Sequence, residues 1–235
     1  MAWHQLGMVY QDAEQWEAAE QAYRQSARLK EEQGLFAGKN GASASWGELA
    51  VLCESTGRLP EAEQWYGKAL AARRAADDRL GMSLTLCNLA GLLAKDPVRL
   101  DEARSYAEES LVIKEALDPA AAEIWKNYEL LARIASQQGE SSQTAAYRAK
   151  SRQVYFALPG WRQQLWDHEE LIAAVVQGSG VEAALARYDD TWLNLKAAIR
   201  RVLNGERDEA ALSEPLSYTE AAIIRAILEG IEEQG

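Results

Sequence analysis

The 235-residue sequence predicts an all-α protein: helix hairpins stacked along the first two thirds of the chain and closed by further helices at its C-terminal end. Two sequence patterns and one absence predict it. A stripe of spaced apolar residues with a small residue inside it recurs along residues 1–155. Each stripe is followed by a second one centred on a small residue, alanine in the first three copies. No run alternates apolar and polar residues as a half-buried strand would, and the prolines fall at element boundaries.

Taken in order, Trp3, Leu6, Gly7 and Tyr10 sit at i, i+3, i+4 and i+7, one stripe of a helix. Gly7 lets a second helix approach, Ala19 does the same on that helix, and Tyr23 fills the space one turn later. The second copy reads Trp46, Leu49, Ala50 and Cys53, then Ala62, Tyr66 and Ala69. Gly57 turns the chain between them, and Pro60 stands just inside the next helix, where its missing N–H costs little. The third copy reads Leu86, Leu89, Ala90 and Leu93, then Ala103 and Ser110, with one extra residue in the Lys95–Leu100 turn. The fourth is degenerate: Tyr128, Leu131, Ala132 and Ala135, a turn at Gly139, then Thr144 and Ser151. The expected repeats span about 1–33, 43–75, 82–116 and 122–156. A hairpin of this kind needs stacked neighbours to bury its faces.

The pattern W-x-x-L-G-x-x-Y followed by A-x-x-x-[FY] resembles the tetratricopeptide repeat. The period from Trp3 to Trp46, Leu86 and Tyr128 is about 40 to 43 residues against roughly 34 for the standard repeat, as in kinesin light chains and many bacterial regulatory proteins. Leu-Cys-Asn-Leu-Ala at 86–90 looks like the helix core of that subclass. The resemblance implies a right-handed superhelical solenoid whose first helices line a concave peptide-binding surface. Aligned on the family's groove positions, the candidates are His4, Met8 and Gln11; Glu48, Val51 and Glu54; Asn88 and Gly91; and Glu129 and Arg133. Gln5, Gly47, Leu84, Cys87, Lys126 and Leu130 fall on the same positions. Asn88 matches the asparagine that peptide-binding relatives use on a ligand backbone, because an amide donates and accepts at once. His4 and Met8 stand where co-chaperone repeats carry Asn and Lys, which argues against a chaperone-tail ligand.

Residues 157–235 read as a helical cap after Pro159-Gly160. Trp161, Leu165, Trp166, Ile172 and Val175 suit one amphipathic helix, and Val181 to Leu203 a second that ends at Asn204-Gly205. Ser217 with Glu220 is a capping box opening a last helix through Ile223, Ile224, Ile227 and Leu228.

A net charge of −11 argues against nucleic acid, which needs a basic surface. Cys53 and Cys87 read as free thiols of a reducing cytoplasm. No signal peptide and no stretch of about 20 apolar residues is present, so no membrane partner is expected. Only Met1 and Ala2 precede Trp3 and no N-cap is available, which predicts a fragment of a longer, bacterial protein.

No enzyme chemistry emerges. Asp167-His168-Glu169-Glu170 lacks the helical spacing of a metal site and reads as a solvated face, and Gly178-Ser179-Gly180 lacks the Lys of a phosphate loop. No cofactor and no metal is expected. The predicted function is a non-catalytic module binding a peptide or protein segment. The alternatives are a sensor region of a larger signalling protein and a self-assembly module that forms homo-oligomers.

Overall fold

A computed structural model describes residues 2–38, 40–117 and 123–234. The expected beginnings at Met1 and residue 122 lie outside them. The described residues are helices and turns, with no strand among them. They form two compact units, residues 1–122 and 123–235.

The first unit is three hairpins: α1 (Ala2–Asp12) with α2 (Trp16–Glu32), α3 (Ala42–Ser55) with α4 (Leu59–Ala75), and α5 (Arg79–Leu93) with α6 (Leu100–Glu115). Each helix packs on the next along the chain. Small residues set the crossings. A Cβ on Gly7 would stand 2.6 Å from the Tyr23 ring, so only glycine admits that ring, which is fully buried. Ala19, Ala62 and Ala103 are fully buried at the corresponding points of the second helices. Trp46 is enclosed with Ala19, Tyr23, Ala27 and Ala69, so it belongs to both the first and second hairpins. Trp3 departs from its expected role as a buried knob: it stays 45% exposed.

The turns follow one rule with two exceptions. Gly57 adopts φ +77° and the Arg58 N–H closes back onto the Cys53 carbonyl at 2.8 Å, satisfying an orphan helix-end acceptor. In the first hairpin Glu14 takes this left-handed role at φ 56°, although it is not glycine. In the third, Asp96 caps a 3-10 turn at Pro97–Arg99 by accepting from the Val98 N–H at 2.9 Å, which absorbs the extra residue. The long period arises from 17-residue second helices in the first two hairpins and from the segment between Glu32 and Ala42.

Buried cations latch successive hairpins together. The Lys30 ammonium donates to the Gly41 carbonyl at 3.2 Å and to Ser45 Oγ at 3.3 Å. One repeat later Arg73 donates to the Gly81 carbonyl at 2.9 Å and to Thr85 Oγ1. Lys114, at the same place after the longer third turn, is also buried. Burial lowers the pKa of both Lys30 and Arg73, opposed at Arg73 by the charges of Asp78, 4.0 Å away, and Glu48.

The second unit begins with a fourth hairpin, α7 (Ile124–Gln137) and α8 (Ser141–Phe156), turned by Gly139 at φ +79°. A 3-10 helix (Trp161–His168) leads into α9 (Glu169–Gln177), followed by α10 (Val181–Leu185), a 3-10 turn (Asp190–Trp192), α11 (Leu193–Leu203), α12 (Glu209–Ser213) and α13 (Tyr218–Glu232). One core joins Trp125 and Tyr155 of the hairpin to Leu171, Leu195, Ile199, Ile223 and Ile227 of the later helices. The compact division therefore falls ahead of the fourth hairpin, whereas Pro159-Gly160 lies within the second unit.

Two expected helices differ. The segment 161–177 opens as a 3-10 helix, which leaves Trp166 70% exposed. The span 181–203 is broken: its first helix ends at Leu185, and the Asp189 side chain accepts from the Thr191 N–H at 2.9 Å to start a new turn. The ends read from sequence agree. Gly205 is left-handed at φ 97° with the Glu206 N–H on the Arg201 carbonyl at 3.0 Å, and Ser217 and Glu220 cap each other reciprocally.

Candidate functional site

Within the first unit, α1, α3 and α5 lie along one side: His4 Nδ1 is 3.1 Å from Ser45 Oγ, and Glu54 pairs with Lys95 at 2.7 Å. Three of the candidate residues are engaged in holding that side together. The His4 ring also packs on Tyr23 with centroids 5.6 Å apart. Gln11 accepts from the Tyr23 hydroxyl at 3.0 Å, and Glu54 accepts from the equivalent Tyr66 hydroxyl at 3.3 Å. Those two tyrosines are therefore oriented from below by residues at one repeated position. Burial, and nearby carboxylates, raise the pKa of both phenols and keep them neutral donors.

The remaining candidates in the first unit lie at or near the surface. Met8 and Asn88 are exposed, and Val51 and Gly91 are half-buried. Glu48 is half-buried with no hydrogen-bond or ion-pair partner. Burial raises its carboxyl pKa, opposed by the charge of Arg73, which the latch to α5 holds beyond ion-pair reach. Leu84, at another groove position, is 41% exposed.

On the opposite side, made of second helices, five ion pairs run between hairpins. Glu20 pairs with Arg58, Arg24 with Glu61, Glu31 with Lys68, Glu63 with Arg99 and Arg74 with Glu109, each joining one hairpin to the next. Arg58 beside Glu20 holds that carboxyl below its ordinary range.

Glu129 and Arg133 lie on α7 of the second unit. Arg133 is exposed; Glu129 has a buried Oε2 without a hydrogen bond, and burial raises its pKa against Arg148 and Arg152. Leu130, which shares a groove position by alignment, is instead a core residue at 7% exposure. The fourth stripe is buried as expected at Tyr128, Leu131, Ala132 and Ala135, and Leu130 widens its apolar face.

Sequence reasoning missed the latching cations. A signal existed: Lys30 and Arg73 each stand 27 positions after the tryptophan of their repeat, and Gly41 and Gly81 each five before the next stripe.

The tetratricopeptide-repeat profile matches residues 1–75 and 41–116. Residues 1–116 are tetratricopeptide repeats. Among solved structures, the fold is similar to BtubC (BKLC) from P. vanneervenii, at TM-score 0.60 and 19% identity over 67% of this chain. The match spans 63% of the BtubC chain. It is also similar to a Podosopora anserina protein assigned to the kinesin light chains with nearly identical TPR-like repeats, at TM-score 0.57 and 17% identity over 96% of this chain and 93% of that one. A point variant of that protein matches at TM-score 0.60 and 17% identity, over 100% and 96% of the two chains. At these identities the likeness concerns the fold. No curated protein sequence matches the chain.

The tetratricopeptide repeats hold Cys53 buried and Cys87 half-buried, and neither forms a disulfide. Burial pushes the Cys53 thiol up to about 11, so it stays protonated and packs as a small apolar residue. No described helix is long and apolar enough to cross a membrane.

Proposed function

We propose that the side of the first unit formed by α1, α3 and α5 is a non-catalytic binding surface for a peptide or protein segment. One contrast carries this reading. Five ion pairs run between hairpins on the second-helix side, whereas the first-helix side has the Glu54–Lys95 pair and leaves the Glu48 carboxylate and the Asn88 amide without hydrogen-bond or ion-pair partners, together with exposed Met8 and Leu84. Asn88 can donate to and accept from a ligand backbone, Glu48 can receive a donor, and Met8 and Leu84 offer apolar area. Buried latches and helix crossings hold the surface in place, so the receptor loses little freedom on binding. Cys53 and Cys87, neither in a disulfide, fit a reducing compartment such as the cytoplasm.

Affinity capture from the source lysate tests the reading, with the intact chain run beside a Met8→Ala, Glu48→Gln, Asn88→Ala variant of unchanged helicity. A protein held by the first and lost by the second supports it; one retained equally by both places the binding surface elsewhere. A second reading, self-assembly, draws on the exposure of Trp3, Val9 and Trp16 on the first hairpin. A mass in solution that rises with protein concentration and reverts on Trp3→Ser with Val9→Ser would favour it.

A further inference from the structure

The second unit contains a cavity of about 240 Å³ whose lining differs in chemistry from the surface above. His168 ends the 3-10 helix before α9, while Tyr188 and Trp192 follow α10, and the fold brings the three rings together. Tyr188 and Trp192 stand 5.2 Å apart between centroids at 80°, two walls of a corner. His168 lies 5.4 Å from Trp192 and 5.7 Å from Tyr188. His168 Nδ1 is 2.7 Å from the Tyr188 hydroxyl, and Lys196 Nζ holds the Tyr188 carbonyl at 2.6 Å, so the corner is fixed before any ligand arrives.

The charges at the rim favour a cation. Arg187 is paired with Glu170, which leaves Asp167 as the carboxylate without an ion pair. Burial lowers the His168 pKa, so the imidazole is neutral at pH 7 and does not repel a positive guest. Glu169 and Glu170 in the first turn of α9 offset the positive end of that helix. A metal fits poorly, since among the described residues no three His, Cys, Asp or Glu side chains converge to hold one.

We propose that this cavity binds a small soluble quaternary ammonium compound, its methylated nitrogen against the Tyr188 and Trp192 faces and its charge balanced by Asp167. Ring faces attract a cation through their quadrupole, and quaternary ammonium groups are the cations that aromatic faces recognise most characteristically. The volume lies just below the roughly 300–1,000 Å³ of drug-sized sites and suits a single headgroup.

Isothermal titration of the full chain with choline tests this, beside 3,3-dimethylbutan-1-ol, its neutral carbon isostere, and trimethyllysine amide. The expected result is saturable choline binding, with the neutral alcohol at least about tenfold weaker. Trp192→Leu should lose choline binding by a similar factor. Asp167→Asn, a change at an exposed rim position, should weaken choline severalfold and leave the alcohol unaffected. Equal binding of choline and the alcohol, or no saturable choline binding, would overturn the proposal. Tighter binding of trimethyllysine amide would overturn the small-compound assignment in favour of a methylated protein side chain.

Discussion

Glu48 holds a half-buried negative charge on α3 with no partner. Burial raises its carboxyl pKa above the ordinary 4.5. An acid that titrates higher in the folded chain than in the unfolded one binds its proton on folding, so its contribution to stability rises as pH falls. At pH 7 the ionised group opposes folding. Glu48→Gln is therefore expected to raise the melting temperature at pH 7, with an advantage that shrinks as pH drops through the folded pKa and below about 4.5. An equal shift at pH 7 and pH 4 would contradict this. Asp77 makes a second case: it sits at φ 51° between α4 and α5, where a side chain is strained. Asp77→Gly is expected to stabilise the protein by about 0.5 kcal/mol in urea titration, the relief of strain exceeding glycine's greater chain entropy. Gly7 is the converse, a glycine legible in the sequence as a close-approach point and found under the Tyr23 ring.

At the level of elements, the first helices of the hairpins were legible because each carries its stripe within eight residues, and Ser217 with Glu220 announced the last helix in the same local way. The break inside 181–203 was not, because the apolar spacing runs through it; the helix ends at Leu185 and Asp189 caps the next turn. The latches were hidden for another reason. Arg73 meets Gly81 and Thr85 across the junction between two hairpins, a contact that no single helical period records. Arg73→Ala removes the donor to the Thr85 hydroxyl and leaves the Gly81 carbonyl with the Thr85 hydroxyl as its side-chain donor, which loosens the α4–α5 junction. It is expected to cost about 2 kcal/mol, within the range for hydrogen bonds to a charged group. Arg28→Ala on α2, an exposed residue that pairs with Glu32 of the same helix, serves as the comparison, and equal effects of the two substitutions on the urea midpoint would argue against the latch.

For the whole molecule, the repeat pattern covered the first unit well and faded where the second begins. There the Trp125–Tyr155 core is completed by α9, α11 and α13 instead of by another copy of the same hairpin. The groove candidates inherited that limit: those of α1, α3 and α5 share one side of one unit, while Glu129 and Arg133 stand in the other. Binding by the first unit alone is the central claim, and site-specific photo-crosslinking in the source cells tests it most directly. A benzophenone side chain is placed at Asn88 on the α5 surface, and in a separate chain at Val112, an exposed position of α6. The account predicts a discrete protein adduct from position 88 and none from position 112. An adduct from position 112 with nothing captured at 88 would contradict it.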